Sequence, residues 1–200
     1  MPSLEGPILQ VLAGAIRPMT GREIQRSAGI GSPSGVRQAL ERLVAQGLVR
    51  AATQSPAIFY TPNREHLAWP AVEALAGLRG ATLSSLQRAL QGWPIRPVHA
   101  SVFGSLARGD GDAQSDIELL LVRPDAVGPE EPSWAGQVAQ LRRGVQAWTG
   151  NRCRPMEASR DELAGYVAAG DPLVEGWLRD SVTLIGAPLR VVLRELRAAG

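Results

Sequence analysis

Residues 98–122, VHASVFGSLARGDGDAQSDIELLLV, constrain this chain more than any other stretch. Of the first six, all but His99 are apolar or small, and they predict a strand ending at Phe103. Gly104-Ser105 predicts a sharp turn into a short helical or loop segment, and Asp116 opens a second strand. Strand side chains alternate between faces, so Asp116 and Glu118 project the same way while Ile117, Leu119 and Leu121 pack opposite. Leu120 and Val122 are also apolar, so further along the strand is buried on both faces. Two carboxylates at the mouth of such a strand are costly unless a cation sits between them. Mg²⁺, a hard ion held by carboxylates and phosphate oxygens, is the natural candidate.

The N-terminal third has a different rhythm. Ile8, Leu9, Leu12, Ala15 and Ile16 recur at helical spacing, and Arg17-Pro18 ends that helix. Thr20 with Glu23 three residues on predicts a capping box for a short helix through Ser27. Gly29-Ile30-Gly31 supplies a turn. Ser32 then caps a longer helix with an apolar face of Val36, Leu40, Leu43 and Val44, stopped by Gly47. Leu48-Val49-Arg50 and Ile58-Phe59-Tyr60 read as two short strands around a polar tip at residues 51–56. This order resembles a winged helix-turn-helix domain. ALERLVAQGLVR from Ala39, closed by Phe59-Tyr60-Thr61-Pro62-Asn63, is similar to the recognition helix and wing of small bacterial regulators. The resemblance implies double-stranded DNA as a partner. Ser34, Arg37, Gln38 and Glu41 would face outward on the major-groove helix, and Arg50 would lie near phosphates. The same fold also serves as a protein-interaction module.

Residues 64–95 read as a helical connector. Trp69-Pro70 opens a segment with Val72, Leu75, Ala76 and Leu78; Gly80 interrupts it, and Thr82 caps a restart carrying Leu83, Leu86 and Leu90. An apolar stripe of this kind packs as core or as the seam of a homodimer. Residues 123–132, rich in Pro, Gly and acids, read as a loop. The stretch from 123 to 150 is poorly patterned.

With the strand–turn–strand motif in view, residues 96–200 resemble a minimal nucleotidyltransferase domain of the DNA polymerase β superfamily. The matching features are Gly104-Ser105, the run Ala107-Arg108-Gly109-Asp110, Ser115, and Asp116-Ile117-Glu118. The resemblance implies an α+β fold with a mixed sheet and flanking helices, following the winged helix of residues 1–63. It also implies that Gly104, Ser105, Arg108 and Ser115 bind the nucleotide. Two Mg²⁺ ions would sit on Asp116, Glu118 and a third acid from a later strand, where Glu157 in RCRPME is the best candidate. Those ions would align an acceptor hydroxyl with the α-phosphate and stabilise departing pyrophosphate. Ser159 and Glu162 fit a capping box, so Glu162 reads as a cap. Asp171 to Gly186 reads as a helix and closing strand, followed by a basic amphipathic tail helix.

Composition narrows the chemistry. All 21 basic residues are Arg and Lys is absent, which excludes Schiff-base and Walker-A lysines. GC-rich coding bias is the plain account of the skew, and selection for Arg as a flat, bidentate phosphate ligand is the alternative. Any cationic phosphate contact must then come from Arg108, or from Arg152 or Arg154 beside the third acid. Residues 1–64 hold seven Arg against three Glu, and the remainder fourteen Arg against sixteen acids: a basic head on a mildly acidic body. His66, His99 and Cys153 make no zinc set, and 110–121 lacks the Gly and closing Glu of a calcium loop. Ser105 has no base partner at a recognisable spacing, and His99 reads as structural. The five Trp read mostly as core, with base stacking as the alternative for Trp134, which follows the loop. No apolar run reaches the roughly 18–20 residues of a membrane span. The start lacks a signal-peptide pattern and a lone Cys forms no intrachain disulfide, so the expected location is cytoplasmic.

The reading is an Mg²⁺-dependent transfer of a nucleotide from an NTP to a hydroxyl on protein, RNA or a small molecule, joined to a DNA-binding head. The alternatives are a transcriptional regulator whose weak or inactive transferase domain senses a nucleotide, and a toxin–antitoxin component.

Overall fold

The computed structural model describes residues 4–199, the last three as backbone only. It divides into two compact units, residues 1–78 and 79–200.

In the first unit, α1 (Glu5–Ala13) buries Ile8 and Leu12. It stops at Gly14, earlier than its apolar pattern predicts, so Ile16 is fully exposed instead of joining the helix face. A two-residue strand β1 (Met19–Thr20) follows. The capping box of α2 (Gly21–Ala28) is complete: the Glu23 amide donates to Thr20 Oγ1 at 3.3 Å, and the Thr20 amide donates to Glu23 Oε2 at 2.8 Å. Gly29, at φ +65°, takes the left-handed conformation that closes the helix. Ser32 caps α3 (Pro33–Ala45) by accepting from the Gly35 amide at 3.1 Å, with Pro33 in the first turn where its missing N–H is harmless. Ile24, Val36, Ala39, Leu40, Leu43, Val49 and Tyr60 join Ile8 and Leu12 in one core. Each fully buried Leu or Ile there contributes roughly 1.5–3 kcal/mol.

β2 (Val49–Gln54) and β3 (Ala57–Pro62) pair antiparallel along their whole length, and β1 adds to β3, giving the order β1-β3-β2. The expected polar tip at 51–56 is therefore mostly strand. Residues 51–54 are all exposed, so backbone pairing alone holds them extended. α4 (Trp69–Ala76) belongs to this unit. Arg64 donates to the Ala13 carbonyl at 3.1 Å, pairs with Glu73 and lies over the buried Trp69 ring. The helical stretch breaks at Gly77, not Gly80: Gly80 and Thr82 both lie inside α5 (Leu78–Gln91).

The second unit is α+β. Its mixed sheet has the order β6-β5-β4-β7. β4 (His99–Phe103) is antiparallel to β5 (Ile117–Val122) and to β7 (Val182–Ile185), whereas β5 and β6 (Cys153–Ala158) are parallel. The short helix α6 (Gly104–Arg108) connects β4 and β5. Between β5 and β6 runs α7 (Pro132–Thr149), the crossover that a parallel pair requires. Leu86 and Leu90 of α5 and Trp134, Val138, Leu141 and Val145 of α7 pack on the face carrying Ile117, Leu119 and Leu121. The opposite face, with Leu120 and Val122, is covered by Leu163 of α8 (Arg160–Ala168), Val174 and Trp177 of α9 (Pro172–Asp180), and Leu189 and Leu193 of α10 (Leu189–Ala199). A strand apolar on both sides is what a sheet covered twice demands. Among the described residues no helix is long and apolar enough to cross a membrane.

Candidate functional site

Asp116 and Glu118 enter from the start of β5, on the α8–α9–α10 side of the sheet. Phe103, the last residue of β4, pairs with Glu118, which brings the Gly104 turn alongside it. Gly104 has φ +69°, and any side chain there would run into Glu118 Oε2. Glycine is thus required twice, by backbone conformation and by space. Ser105, half-buried, follows in α6; its carbonyl accepts from the Gly109 and Asp110 amides at 2.8 and 3.1 Å.

Ser115 is committed to its own loop. Its hydroxyl donates to Asp112 Oδ1 at 2.8 Å and accepts from the Asp112 amide at 3.0 Å. The Ser115 hydroxyl, foremost, and the Gln114 amide hold the Asp112 carboxyl below the usual carboxylate range. Asn151 ties the loop to the start of β6 by donating to the Asp112 and Ser115 carbonyls, both at 2.8 Å. Beside it opens a polar cleft of about 410 Å³ whose walls include Ser115, Asp116, Asn151 and Arg152. Sequence reasoning missed Asn151, because its role is a contact thirty-six residues away from Ser115.

Arg108 is engaged by carboxylates: Nε lies 3.0 Å from Asp110 Oδ2 and Nη1 lies 2.9 Å from Asp180 Oδ2. Asp180 also receives Arg179 at 2.9 Å. Arg179 and then Arg108 hold that carboxyl below its ordinary value.

The third acid expected at Glu157 is not brought to the pair. In the parallel register Glu157 stands opposite Leu121, whereas Arg154 stands opposite Glu118. Alternation therefore turns Glu157 to the α7 face, away from Asp116 and Glu118. There Trp134 Nε1 donates to Glu157 Oε2 at 2.6 Å. Trp134 is fully buried and meets Trp93 edge-to-face at 5.4 Å, a core position that leaves no face for the alternative of base stacking. On the carboxylate face β6 instead presents arginine, and Arg154 Nε contacts Asp116 Oδ2 at 2.7 Å.

The residues present do not fit the expected magnesium centre. Among the described residues no three of His, Cys, Asp or Glu come together as a possible metal group, and one of the two paired carboxylates already holds a guanidinium.

Three further titratable side chains of the second unit have defined surroundings. His99 is buried, its Nδ1 3.0 Å from the Ala187 carbonyl, and burial pushes its pKa below the ordinary value. Cys153 is half-buried and its thiol is pushed up to about 11 by burial, which removes it as a nucleophile near neutral pH. Glu162 caps α8 through Ser159 and pairs with buried Arg123 at 2.9 Å.

In the first unit Ser34, Arg37, Gln38 and Glu41 are exposed on α3, with Arg37 3.8 Å from Glu41. A cleft of about 360 Å³ beside them is lined by Arg22, Gln25, Arg37, Ile58 and Tyr60 among others. Arg50 on β2 is exposed and paired with Glu65.

No protein-family model matches the chain, and no curated protein sequence does. Solved structures give distant likenesses. A toxin–antitoxin complex with AMP-PNP aligns with TM-score 0.38 and 13% identity over 58% of this chain and 85% of that one. A mutant of the toxin–antitoxin MntA–HpeT aligns with TM-score 0.39 and 12% identity over the same shares. A Sulfolobus solfataricus protein assigned as a nucleotidyltransferase aligns with TM-score 0.33 and 17% identity over 52% and 80%. At these scores they carry no argument about what this chain does.

Proposed function

We propose that the chain is a DNA-binding regulator whose second unit is a nucleotidyltransferase-type domain that binds a nucleoside triphosphate without transferring from it. The observation that carries this reading is the composition of the β5–β6 mouth. Two carboxylates stand beside a Gly-Ser turn, as in the resemblance noted from sequence, but arginine occupies the strand that would supply the third acid. Transfer needs ions that align the acceptor and neutralise the leaving pyrophosphate, and this donor set is poor for holding them. Phosphate binding asks less: a close backbone approach at Gly104, the Ser105 hydroxyl, and arginine nearby, since guanidinium matches phosphate geometry.

The first unit supports the DNA half of the reading. A helix, a turn held by Gly29 and Gly31, a second helix with exposed Ser34, Arg37 and Gln38, and an exposed hairpin carrying Arg50 follow in the order that the winged helix-turn-helix resemblance implies, which supports this reading. α3 would enter the major groove, and Arg22 and Arg26 on exposed positions of α2 would meet phosphates.

Incubation with each α-labelled NTP and cell extract tests the second unit. Saturable NTP binding with no label on protein, RNA or small molecules is expected. Label that disappears in Asp116→Ala would replace this reading with active transfer, which the shared face of Asp116 and Glu118 favours. A DNA-shift series across salt tests the first unit. Arg37→Ala is expected to weaken binding and, as a phosphate contact, to reduce the salt slope by about 1. Unchanged affinity in Arg37→Ala would remove α3 from the interface.

A further inference from the structure

The carboxylate pair of β5 faces an arginine pair on β6. Glu118 and Arg154 are register partners, and the Ile117 amide donates to the Arg152 carbonyl at 2.7 Å, so Arg152 runs beside Asp116. Arg152, Arg154 and Met156 share one face by alternation, and Met156 packs with Leu120 and Val122 on the covered side. Hence both arginines belong to the face of Asp116 and Glu118, and the four side chains are neutral as a set.

We infer that Arg154 is a resident cation standing where a divalent ion would otherwise sit, so that the site takes a phosphate-bearing ligand independently of metal. The naming of a nucleoside triphosphate as that ligand rests on the proposed function; the exclusion of metal does not. A divalent ion approaching Asp116 meets a guanidinium that is always charged and already 2.7 Å from Oδ2. The ion must displace it or endure its repulsion. A phosphate instead finds the exposed guanidinium itself, whose donors match its oxygens. Arg154 is 68% exposed, so the guanidinium remains accessible from solvent while Asp116 orients it. The cleft bounded by Ser115, Asn151 and Arg152 provides adjoining room. Arg152 is exposed at its edge.

The experiment uses the full-length chain and two probes. Mn²⁺ alone, followed by electron paramagnetic resonance, reads the metal arm. Wild type and Arg154→Lys are expected to show no saturable Mn²⁺ site at millimolar concentration. Arg154→Asp is expected to gain one, saturable below millimolar concentration, because affinity tracks the count of carboxylate ligands, and to lose it again when Asp116→Asn is added. Saturable Mn²⁺ binding in wild type, or no gain in an Arg154→Asp protein with native circular dichroism, overturns the inference. Arg154 is mostly exposed, so these variants keep the core intact.

A fluorescent ATP analogue reads the ligand arm. Equal affinity in EDTA and in Mg²⁺, with loss on Arg154→Ala, is expected. Affinity that collapses in EDTA overturns the inference. Absence of binding in both buffers sinks the nucleotide reading, and the Mn²⁺ arm then decides the resident-cation assignment by itself.

Discussion

The hydrogen bond from Trp134 Nε1 to Glu157, at 2.6 Å, ties α7 to β6 within a core layer. Glu157→Ala leaves a fully buried indole N–H without its acceptor. A loss of about 1–3 kcal/mol is expected from urea denaturation, and Glu157→Gln, which keeps an acceptor, should cost less. ATP-analogue affinity should not change in either variant. A binding loss that exceeds the stability loss would restore Glu157 to the site. Gly104 obeys a stricter rule. Ala at φ +69° costs about 1–2 kcal/mol from the left-handed backbone alone, and its methyl group would strike Glu118 Oε2. Gly104→Ala is therefore expected to lower the melting temperature and abolish nucleotide binding; a variant that binds normally would show the turn to be merely structural. Residue identity made Asp116, Glu118 and Gly104 legible from sequence. The parity of Glu157 on its strand was not, since one residue of register decides which face a side chain serves.

Elements were legible where their signal was local. Thr20 with Glu23 and Ser159 with Glu162 are complete capping boxes in the structure, because both partners lie within one helical turn. α7 is the longest described helix of the second unit, yet nothing in the sequence reading marked it. Its buried Trp134, Val138, Leu141 and Val145 do recur at helical spacing, but Ala, Gly and Gln between them dilute the contrast. The hairpin outgrew its apolar residues because backbone pairing needs none. The α2 cap also carries a pH signature. Arg17, foremost, and the Thr20 amide and hydroxyl hold the Glu23 carboxyl down to about 2 from an ordinary 4.5. A depressed carboxylate stabilises the fold fully above its unfolded value, and that contribution is lost as pH falls from 4.5 towards 2. Urea midpoints of the first unit should fall across that window, and Glu23→Gln should flatten the fall. An unchanged slope in Glu23→Gln would assign the acid sensitivity elsewhere.

The two units are expected to answer acid differently, because Glu23 is perturbed in the first and His99 in the second. A shift in charge and pattern near residue 64 already suggested a division, but the buried Trp69 and its partners Arg64 and Glu73 extend the first unit through α4. Such a boundary is set by packing that composition does not display. Within the second unit His99 lies in β4 between two paired strands, fully buried, with Arg160 and Glu195 lining the cleft beside it. Burial lowers its pKa below 6.5, against the weaker pull of the Ala187 carbonyl. The folded unit therefore resists a proton that the unfolded chain accepts, and stability is expected to decline as pH falls below 6.5. The first unit should hold until pH falls below 4.5, where Glu23 begins to matter. Amide exchange followed by unit across pH 7.5 to 3 checks this, in buffers chosen at about constant ionic strength because surface ion pairs are salt-sensitive. Protection in β4 and β5 should weaken first, and His99→Asn should delay that loss to the carboxylate range. Simultaneous loss in both units with wild-type His99 would mean that the histidine proton does not govern the second unit's acid limb.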